Sequence, residues 1–425
     1  MRDYSHHIEL NRQAATEKLL ACVGDGLAFG AADAIERVPV AEAFGRVLAA
    51  DVRSAVQAPN TLTCSLDSIA VHWEDFENGM PDTSGWVRGI DWQFANTGVA
   101  MPEGFDTAMV IEYVDVSADE QHVVLHNAPS RKGAGTRPAG DRLQVGDLLA
   151  PAGRAITPDL AARIVSGNHT TVEVVRKPKV AFIPTGNELV VAGSAFVERG
   201  KNLETNSIVV RGKVEQWGGE YVPFDIVPDS PALIEAALRQ ACAVADIVVL
   251  NAGSSKGSDD WSVEQMEDMG TILYHQTNHG PGHHSSAAVI DGTPVVGISG
   301  PAGGASFTLD FYLRPLMRKF LGQDPKPECI PARLMEDFPS EGHHAHGKKL
   351  AGEKRPREAT APGSEFFGVR KVALAYGPDG VLRATPVAGK PGDGIPGTFE
   401  GLTMVPTGGG AAPLKAGAMI LVELV

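Results

Sequence analysis

The sequence predicts a multidomain α/β protein, and three observations carry this prediction. The chain has 425 residues, and single hydrophobic cores stop growing near roughly 250–300 residues, so several domains are expected. Residues 178–322 alternate strand and helix patterns, which is typical of a βαβ domain with a mostly parallel sheet. Residues 53–140 contain short β-type runs between Gly, Pro and Asp turns, which indicates a small β-rich unit without a long helix.

Composition and charge exclude several classes of protein. Hydrophobic residues make up 43% and charged residues 21% of the chain, which is ordinary for a globular protein and excludes a wholly disordered one. The formal net charge of −15 has the wrong sign for a general nucleic-acid binder. The 4 cysteines have no C-x-x-C spacing, which argues against a zinc site or a dense disulfide framework. With no apolar run of the roughly 18 residues that span a membrane, and no recognisable signal peptide, a cytoplasmic protein is expected.

Local patterns predict the elements in chain order. Apolar residues recur at helical spacing from Ala15 to Val23, so the chain is expected to open with a helix. A second helix is expected over 155–167, followed by a β-branched strand over 170–175. These segments flank the β-rich stretch and are assigned to a mixed linker domain.

The βαβ segment gives the clearest patterns. Ile247–Leu250 is a continuous apolar run, as expected of a parallel strand covered on both faces. Ser230 is in position to cap a helix with Pro231 at its first position, and Ile234, Leu238 and Ala241 share one apolar stripe with Ala237. The other predicted strands cover residues 180–183, 221–227 and 294–298, and the other predicted helices cover 209–218 and 306–320.

The C-terminal part predicts β structure after a polar loop. Residues 340–363 carry mixed charge and few large apolar side chains, so a loop is expected there. Residues 369–376 and 381–387 flank a Gly-Pro-Asp-Gly turn and predict a β-hairpin. The run over 419–425 predicts a last strand.

Three of the predicted strands end in loops that suit an anionic ligand. In parallel sheets, ligands bind beyond the carboxyl ends of the strands. The loops contain Thr185, Gly186 and Glu188, then Gly253, Ser255 and Gly257, and finally Gly300. Each loop alone could be only a tight connection, but three on one sheet favour a polyanionic ligand held by backbone N–H groups and hydroxyls. The P-loop and dinucleotide fingerprints are absent from the sequence.

These segments resemble the molybdopterin molybdenumtransferases, including the gephyrin E domain. Thr185–Leu189 resembles the family's T-G-D/N-E-L, and residues 252–261 resemble G-G-x-S-x-G-x-x-D-[YW]. Upstream, residues 97–104 are similar to T-G-A-P-x-P-x-G and residues 66–71 to M-D-G-Y-A-V. Further matches in the family order are an altered S-N marker at Asn206-Ser207, the V-x-D element at 227–229 and the G-E-D-I-x-x-G-x-x-L element at 140–149.

The resemblance implies four domains and a homodimer. The domains would be a mixed linker domain (1–52 plus 141–177), an inserted β-rich domain (53–140), an α/β molybdopterin-binding domain (178–328) and a C-terminal β-barrel-like domain (329–425). Family members are elongated homodimers, which implies that the 53–140 region of one chain approaches residues 178–322 of the other.

The resemblance also implies an activity: molybdate is inserted into molybdopterin while adenylylated molybdopterin is hydrolysed, with magnesium present and AMP released. The upstream donor would be a molybdopterin adenylyltransferase, and the recipients would be molybdoenzyme apoproteins or their chaperones. The implied catalytic residues are Glu188, Asp229, Asp260 and Asp67, of which Glu188 and Asp260 would bind the metal. The implied ligand-binding residues are Thr97, Thr185, Gly186, Gly253, Ser255, Gly257, His283 and Gly300. A helix cap or a solvated carboxylate is the ordinary alternative for each acid.

Several positions depart from the family pattern. Leu62 aligns with a carboxylate of the family, and Arg142 aligns with the second acid of G-E-D-I. The lysines of the family's K-P-G-K-P align with Gly280 and His283. These losses favour a second hypothesis, a molybdopterin-binding or carrier paralogue without turnover. A scaffold that serves protein contacts alone is the third.

The clustered histidines invite a metal-binding interpretation. They are His279, His283 and His284 in one loop, and His343, His344 and His346 in the other. Neither group has the spacing of a structural zinc site or an H-E-x-x-H helix, so a solvated loop is the simpler interpretation. His283 and His284 could instead meet phosphate oxygens.

Overall fold

The computed structural model describes residues 9–24, 27–193, 197–251, 261–338, 366–387, 399–406 and 413–424. They form two compact units, one of Ile35–Val174 and the other of Met1–Ala34 with Val175–Val425. Among the described residues, no helix has the length and apolar character needed to cross a bilayer. The predicted loop over 340–363, with its three histidines, lies outside the described residues. The finer division into four domains stays a prediction.

Short helices and many strands make up both units. The described helices are α1 (Arg12–Ala21), α2 (Pro158–Ser166), α3 (Asn206–Gln216), α4 (Pro231–Val244), α5 (Ser262–Met269), α6 (Ala302–Thr308) and α7 (Arg314–Phe320). The described strands are β1 (Ile35–Pro39), β2 (Val52–Arg53), β3 (Thr63–Cys64), β4 (Ser68–Val71), β5 (Trp92–Ala95), β6 (Thr107–Val110), β7 (Val114–Val116), β8 (Val123–Leu125), β9 (Thr136–Arg137), β10 (Leu148–Ala150), β11 (Thr171–Val175), β12 (Lys179–Pro184), β13 (Leu189–Val190), β14 (Asn202–Leu203), β15 (Glu220–Pro223), β16 (Ile247–Asn251), β17 (Thr271–His275), β18 (His279–Gly280), β19 (Ser286–Ile290), β20 (Thr293–Ile298), β21 (Cys329–Leu334), β22 (Phe367–Tyr376), β23 (Leu382–Pro386), β24 (Phe399–Pro406) and β25 (Met419–Leu424).

The Ile35–Val174 unit is built from small antiparallel sheets. The largest has three strands in the order β5-β4-β6 and packs Ile69, Trp92 and Met109 into its core. The prediction of a β-rich segment without a long helix is confirmed for residues 53–140. The predicted second helix is α2, where Thr157 Oγ1 accepts a hydrogen bond from the Leu160 backbone N–H at 3.2 Å and Pro158 occupies the first turn.

A six-stranded sheet in the order β15-β12-β16-β20-β19-β17 forms the centre of the other unit. The first four strands are parallel, and β19 and β17 are antiparallel additions at one edge. The predicted strand over 221–227 is corrected to β15, which ends at Pro223. Proline has no backbone N–H to extend the ladder, and Val227 makes only an isolated bridge to Thr185.

Helices cover both faces of this sheet. The predicted stripe of α4 is confirmed, since Ile234, Leu238 and Ala241 are fully buried against Ile183 and Leu250 of the strands. Ser230 does occupy the N-cap position, but its side chain makes no capping hydrogen bond.

Two helix boundaries differ from the predicted ones. The helix expected from 209 begins at Asn206. The helix expected from residue 306 begins at Ala302 and contains a π-helical turn, Leu309–Leu313. The sequence pattern does not predict this start, because residues 303 and 304 are glycines and glycine is a poor helix former.

The C-terminal strands close into a barrel in the order β22-β23-β21-β25-β24, with β24 pairing back to β22. The predicted hairpin is confirmed as β22 and β23, and the last strand as β25. Val372, Leu374, Ala384 and Val422 fill the barrel. The two-residue strand β18 pairs in parallel with Phe367 and Gly368 of β22, which joins the barrel to the loop that follows β17.

Candidate functional site

The carboxyl ends of three parallel strands meet in one hydrogen-bonded cluster. Thr185 Oγ1, after β12, donates to the backbone carbonyl of Asn251 at the end of β16, at 2.5 Å. Asn206 Nδ2, at the start of α3, donates to Asn251 Oδ1 and to the carbonyl of Gly300 after β20, both at 2.8 Å. The structure therefore brings the predicted residues Thr185 and Gly300 together, with Asn206 as the link between them. We call Thr185, Asn206, Asn251, Ser299 and Gly300 the strand-end cluster.

Two polar atoms of the strand-end cluster are buried without a hydrogen-bond partner. Asn206 uses its amide hydrogens on two acceptors, so its Oδ1 remains an acceptor that nothing in the described chain satisfies. Ser299 Oγ is likewise unpartnered in this part of the chain, and the residue is 8% exposed. Leaving a buried polar atom unpaired costs about 1–3 kcal/mol. Such atoms call for an explanation, and a ligand or water that completes the bond is the usual one.

Glu188 lies directly over Gly186 at the rim of the strand-end cluster. A Cβ on Gly186 would lie 2.7 Å and 2.9 Å from the two carboxylate oxygens of Glu188, and Gly186 has a φ of +149°. The positive φ favours glycine there, whereas the Glu188 carboxylate is the end of an exposed side chain that could move aside. Glu188 is exposed, and neither of its oxygens forms a hydrogen bond or ion pair with the described residues. Its carboxylate is therefore free to bind a cation.

Asp229 positions the loop that carries Glu188. The backbone N–H of Asn187 donates to Asp229 Oδ2 at 2.9 Å, and the backbone N–H of Asp229 donates to Asn187 Oδ1 at 3.2 Å. The Gly186 N–H donates to the carbonyl of Val227 at 3.1 Å. These bonds leave one Asp229 oxygen for other partners, so its observed role is to fix the backbone beside Glu188.

The loop 280–284 lies against the start of α6. A Cβ on Gly282 would lie 3.3 Å from Thr308 Oγ1 and 3.5 Å from the carbonyl of Gly304. A Cβ on Gly304 would in turn lie 2.3 Å from Ser299 Oγ. This chain of contacts joins the loop to the strand-end cluster.

His283, predicted to bind the ligand, does not point a free ring into the strand-end cluster. Its Nδ1 is hydrogen-bonded to the backbone carbonyl of Thr277. Its ring lies edge-on to Phe366, with centroids 5.5 Å apart. Only Nε2 of His283 remains for a ligand.

His279 is buried in the same loop as a neutral imidazole. Its Nδ1 lies 3.2 Å from the carbonyl of Pro281, so Nδ1 carries the hydrogen, and Nε2 accepts from the Tyr312 hydroxyl at 2.8 Å. Burial lowers the pKa of His279 to about 4. The hydrogen bond between His279 and Tyr312 thus anchors the start of the loop 280–284 to the π-helical turn.

Replacing His279 by glutamine should flatten the pH dependence of stability between pH 4 and 6.5. The unfolded chain binds a proton near pH 6.5 that the folded protein accepts only near pH 4. The free energy of unfolding that depends on His279 is therefore present above pH 6.5 and lost as the pH falls, by up to about 1.4 kcal/mol per pH unit. Urea unfolding of both proteins at several pH values measures the difference. The difference between the two proteins also removes the contribution of Asp310 and Glu423 to the pH dependence of stability. Their contribution has the opposite sign, because burial raises their pKa values. Parallel curves for the two proteins would show that His279 is not the group responsible.

Asp67 and Thr97, two further predicted site residues, lie in the Ile35–Val174 unit and contact each other. Asp67 Oδ1 accepts from the backbone N–H and from Oγ1 of Thr97, both at 2.9 Å. The hydrogen bond from the Thr97 backbone N–H is the main cause that lowers the pKa of Asp67, and the bond from the Thr97 hydroxyl is the second. Both residues are exposed, so the second carboxylate oxygen of Asp67 faces solvent. The predicted residues Asp260, Gly253, Ser255 and Gly257 lie outside the described residues.

The described residues contain no group of three or more His, Cys, Asp or Glu side chains that could hold a metal ion. Magnesium, however, is bound in phosphate sites by one or two carboxylates together with phosphate oxygens and water. The free carboxylate of Glu188 fits that requirement.

A large cavity lies elsewhere in the same unit. Its volume is about 1220 Å³, and its lining includes Leu10, Arg12, Phe311, Phe367, Met404 and Glu423. The charges of Arg12 and Glu423 are already paired at 2.7 Å. These two charges of the cavity are therefore already satisfied by each other, whereas the carboxylate of Glu188 has no partner among the described residues.

Comparison with protein families identifies the chain. Residues 10–167 match the model of the MoeA N-terminal region, domains I and II, and residues 181–319 match the model described as a probable molybdopterin binding domain. The two matches follow each other in the order that the sequence resemblance predicts. The chain belongs to the MoeA family.

Curated relatives of this MoeA-family chain are named molybdopterin molybdenumtransferase. The protein of Staphylococcus epidermidis is 24% identical over 70% of this chain and 74% of its own length. The protein of Nostoc sp. is 26% identical over 72% of this chain and 74% of its own length. The resemblance recognised in the sequence is thus confirmed.

Solved structures agree on the fold of the MoeA-family chain. A molybdopterin biosynthesis MoeA protein of Pyrococcus horikoshii superposes with a TM-score of 0.72 at 22% identity, covering 98% of this chain and 99% of that one. A molybdenum cofactor biosynthesis protein of Pyrococcus furiosus gives a TM-score of 0.55 at 18% identity, covering 98% and 100%. The multidomain α/β fold with a C-terminal barrel is therefore confirmed.

Sequence reasoning missed Asn251 and Ser299 and gave Asn206 only as part of an altered marker. Asn251 follows directly on a continuous apolar strand, which is the position where a polar side chain reaches the strand-end edge. That signal was present in the sequence. The unpartnered state of Ser299 depends on its packing and had no sequence signal.

Proposed function

We propose that this protein is a molybdopterin molybdenumtransferase of molybdenum cofactor biosynthesis. It inserts molybdate into molybdopterin and hydrolyses the adenylylated form, releasing AMP. The MoeA family membership and the names of the curated relatives support this function. The observation that carries it is the strand-end cluster, in which three strand ends converge around two unsatisfied polar atoms.

The cluster offers the polar groups that a phosphorylated pterin requires. Asn206 Oδ1 can only accept, so it suits an N–H group of the pterin ring, and the Ser299 hydroxyl can donate to an oxygen. Gly186 and Gly300 let the ligand approach the backbone closely, and Thr185 fixes the strand end beneath it. The predicted residues Gly253, Ser255 and Gly257 would add further contacts to the phosphates.

Magnesium would be held by Glu188 and Asp260. When bound, the ion neutralises the charge of the diphosphate and of the leaving AMP. Asp229 keeps the Glu188 loop in place through its two bonds with Asn187. In the overall reaction, water adds to one phosphorus as the bond between the adenylyl group and the molybdopterin phosphate breaks, and AMP departs.

We further propose that the protein acts as a homodimer. Residues 53–140 of one copy would face residues 178–322 of the other, which gives the exposed pair Asp67 and Thr97 a role at the site. A molybdopterin adenylyltransferase would supply the substrate, and molybdoenzyme apoproteins or their chaperones would receive the product. A cytoplasmic location stays a prediction from the sequence.

A carrier without turnover is the second candidate function. Leu62 stands where the family has a carboxylate, and Gly280 and His283 stand where it has lysines. Arg142 likewise stands where the family has an acid. The lost acids remove carboxylates expected at the site, and the lost lysines remove cations that serve anionic substrates, so the protein could bind molybdopterin and deliver it unchanged.

Incubation of the full-length protein with adenylylated molybdopterin, magnesium and molybdate separates the two candidates. The transferase should release AMP in amounts that exceed the enzyme concentration, and omission of magnesium should stop the release. Tight binding of molybdopterin without AMP release would leave the carrier. Failure to bind molybdopterin at all would contradict both.

A further inference from the structure

The hydroxyl of Tyr312 is buried beside the loop 280–284. Tyr312 belongs to the π-helical turn Leu309–Leu313, and such turns are frequent at functional sites. Tyr312 and His279 are both 0% exposed, and the phenol oxygen lies 2.8 Å from His279 Nε2. Polar groups at this depth are normally paired within the chain, so the arrangement of these bonds is informative.

The hydrogen bonds around this pair have one direction. His279 Nδ1 lies 3.2 Å from the carbonyl of Pro281, which can only accept, so Nδ1 carries the hydrogen. Nε2 is then the unprotonated nitrogen, and the Tyr312 hydroxyl donates to it. Burial raises the pKa of Tyr312, and hydrogen bonds from the side chains of Thr277 and Ser285 oppose that shift. The bonds therefore run from two hydroxyls through Tyr312 and His279 to the loop backbone.

The residues that meet at the phenol come from both sides of the loop. Thr277 and His279 precede it and Ser285 follows it, and the Thr277 and Ser285 hydroxyl oxygens are 3.4 Å apart. Backbone bonds join the same two sides. The Thr277 N–H donates to the carbonyl of His283 at 3.0 Å, and the Ser285 N–H donates to that of Gly282 at 3.1 Å. One buried hydroxyl thus ties the two sides of the loop to the π-helical turn.

The loop held in this way has free backbone donors beside the strand-end cluster. The N–H groups of Gly282 and His283 make no hydrogen bond within the described part of the chain, although Gly282 is buried. A Cβ on Gly282 would lie 3.2 Å from Cε1 of His279, so the imidazole supports this residue. Gly282 also lies against Gly304, which contacts Ser299. An anionic group of a ligand can accept from such amides as long as the loop keeps its position.

We propose that Tyr312 is a positioning residue for ligand binding, which acts through His279 to hold the loop 280–284 beside the strand-end cluster. This inference rests on the proposed function, because it assumes that the ligand lies at that cluster. The Tyr312 hydroxyl donates to Nε2 and so keeps the hydrogen of His279 on Nδ1, where it binds the Pro281 carbonyl. A phenylalanine would fill the same space but would no longer select this tautomer.

Titration of the full-length protein with molybdopterin measures the effect on binding. Tyr312→Phe should bind it at least about fivefold more weakly than wild type. The control is Tyr221→Phe, which also removes one phenol hydroxyl, but from β15 at the opposite edge of the sheet. Tyr221→Phe should bind like wild type. His279→Gln keeps one donor and one acceptor, so it should bind more tightly than His279→Leu, which keeps neither.

A double variant separates positioning through His279 from a general loss of stability. If Tyr312 acts through His279, adding Tyr312→Phe to His279→Leu should weaken molybdopterin binding no further. Ile234→Val removes one buried methyl group from α4 and should lower the unfolding temperature without changing the affinity. Additive losses in the double variant would overturn the proposal. So would an Ile234→Val protein that binds as weakly as Tyr312→Phe.

NMR and hydrogen exchange test the same bonds without a ligand. With ¹⁵N-labelled histidine at neutral pH, His279 in wild type should show a protonated Nδ1 and an unprotonated Nε2. The amides of the loop 280–284 should exchange faster in Tyr312→Phe than in wild type. A protonated Nε2 in wild type would contradict the proposal even if Tyr312→Phe did not fold. Equal exchange in the two proteins would contradict it as well.

AMP release separates this proposal from the proposed function. Tyr312→Phe should raise KM for adenylylated molybdopterin more than it lowers kcat, because the loop serves binding. If wild type releases AMP and Tyr312→Phe does so with unchanged KM, the positioning role is excluded while the transferase stands. If molybdopterin binding depends on Tyr312 but wild type releases no AMP, the positioning role stands and the transferase is excluded.

Discussion

Replacing Glu188 by glutamine should slow AMP release by at least about 100-fold, because the magnesium ion loses its charged ligand. Glutamine has nearly the shape of glutamate, so it can lie over Gly186 as the carboxylate does. Folding and molybdopterin binding should therefore change little. Release of AMP from adenylylated molybdopterin, measured over a range of magnesium concentrations, checks the rate and the metal requirement together.

Glu220→Gln is the matched control for this substitution. Glu220 is an exposed glutamate at the first position of β15, paired in register with Lys179 and thus at the opposite edge of the same sheet. The Glu220→Gln substitution should leave the rate of AMP release unchanged. A Glu188→Gln protein with the activity and magnesium requirement of wild type would remove Glu188 from the metal site.

Replacing Asn206 by alanine should destabilise the protein by about 1–3 kcal/mol, because a buried acceptor, Asn251 Oδ1, loses its donor. The carbonyl of Gly300, an exposed residue, loses the same donor but can bind water instead. The same substitution frees the ends of β16 and β20 from each other, so molybdopterin binding should weaken as well. Urea unfolding and a binding titration with molybdopterin measure the two effects.

Asn202→Ala provides the comparison, since Asn202 is exposed on β14, four residues before Asn206 in the same connection. Its stability and its affinity should stay near those of wild type. If Asn206→Ala matched it in both respects, the hydrogen bonds of Asn206 would not be what holds the strand ends together.

The strands and helices of the central sheet could largely be predicted from residue patterns. Ile247–Leu250 is apolar at every position because both faces of that strand are covered, and the α4 stripe repeats at helical spacing. The antiparallel strands β17 and β19 were missed. Their apolar residues are consecutive and do not alternate with polar ones, and alanine is a weak strand former, so the period-two pattern of a strand did not identify them.

The candidate site could be predicted only in part. Thr185, Gly186, Glu188 and Gly300 were found because glycine, hydroxyl and acid residues follow apolar strands in the sequence. The bonds of Asn206 join residues from three segments far apart in the chain, and single-sequence patterns contain no such distances.

A crystal structure of the full-length protein with molybdopterin bound tests the central claim most directly. The account predicts ligand density at the carboxyl edge of the sheet, in contact with Thr185, Asn206 and Gly300, with a ligand N–H group opposite Asn206 Oδ1. Density confined to the 1220 Å³ cavity beside Arg12 and Glu423, with the strand-end cluster unchanged and Asn206 Oδ1 still unpartnered, would contradict it.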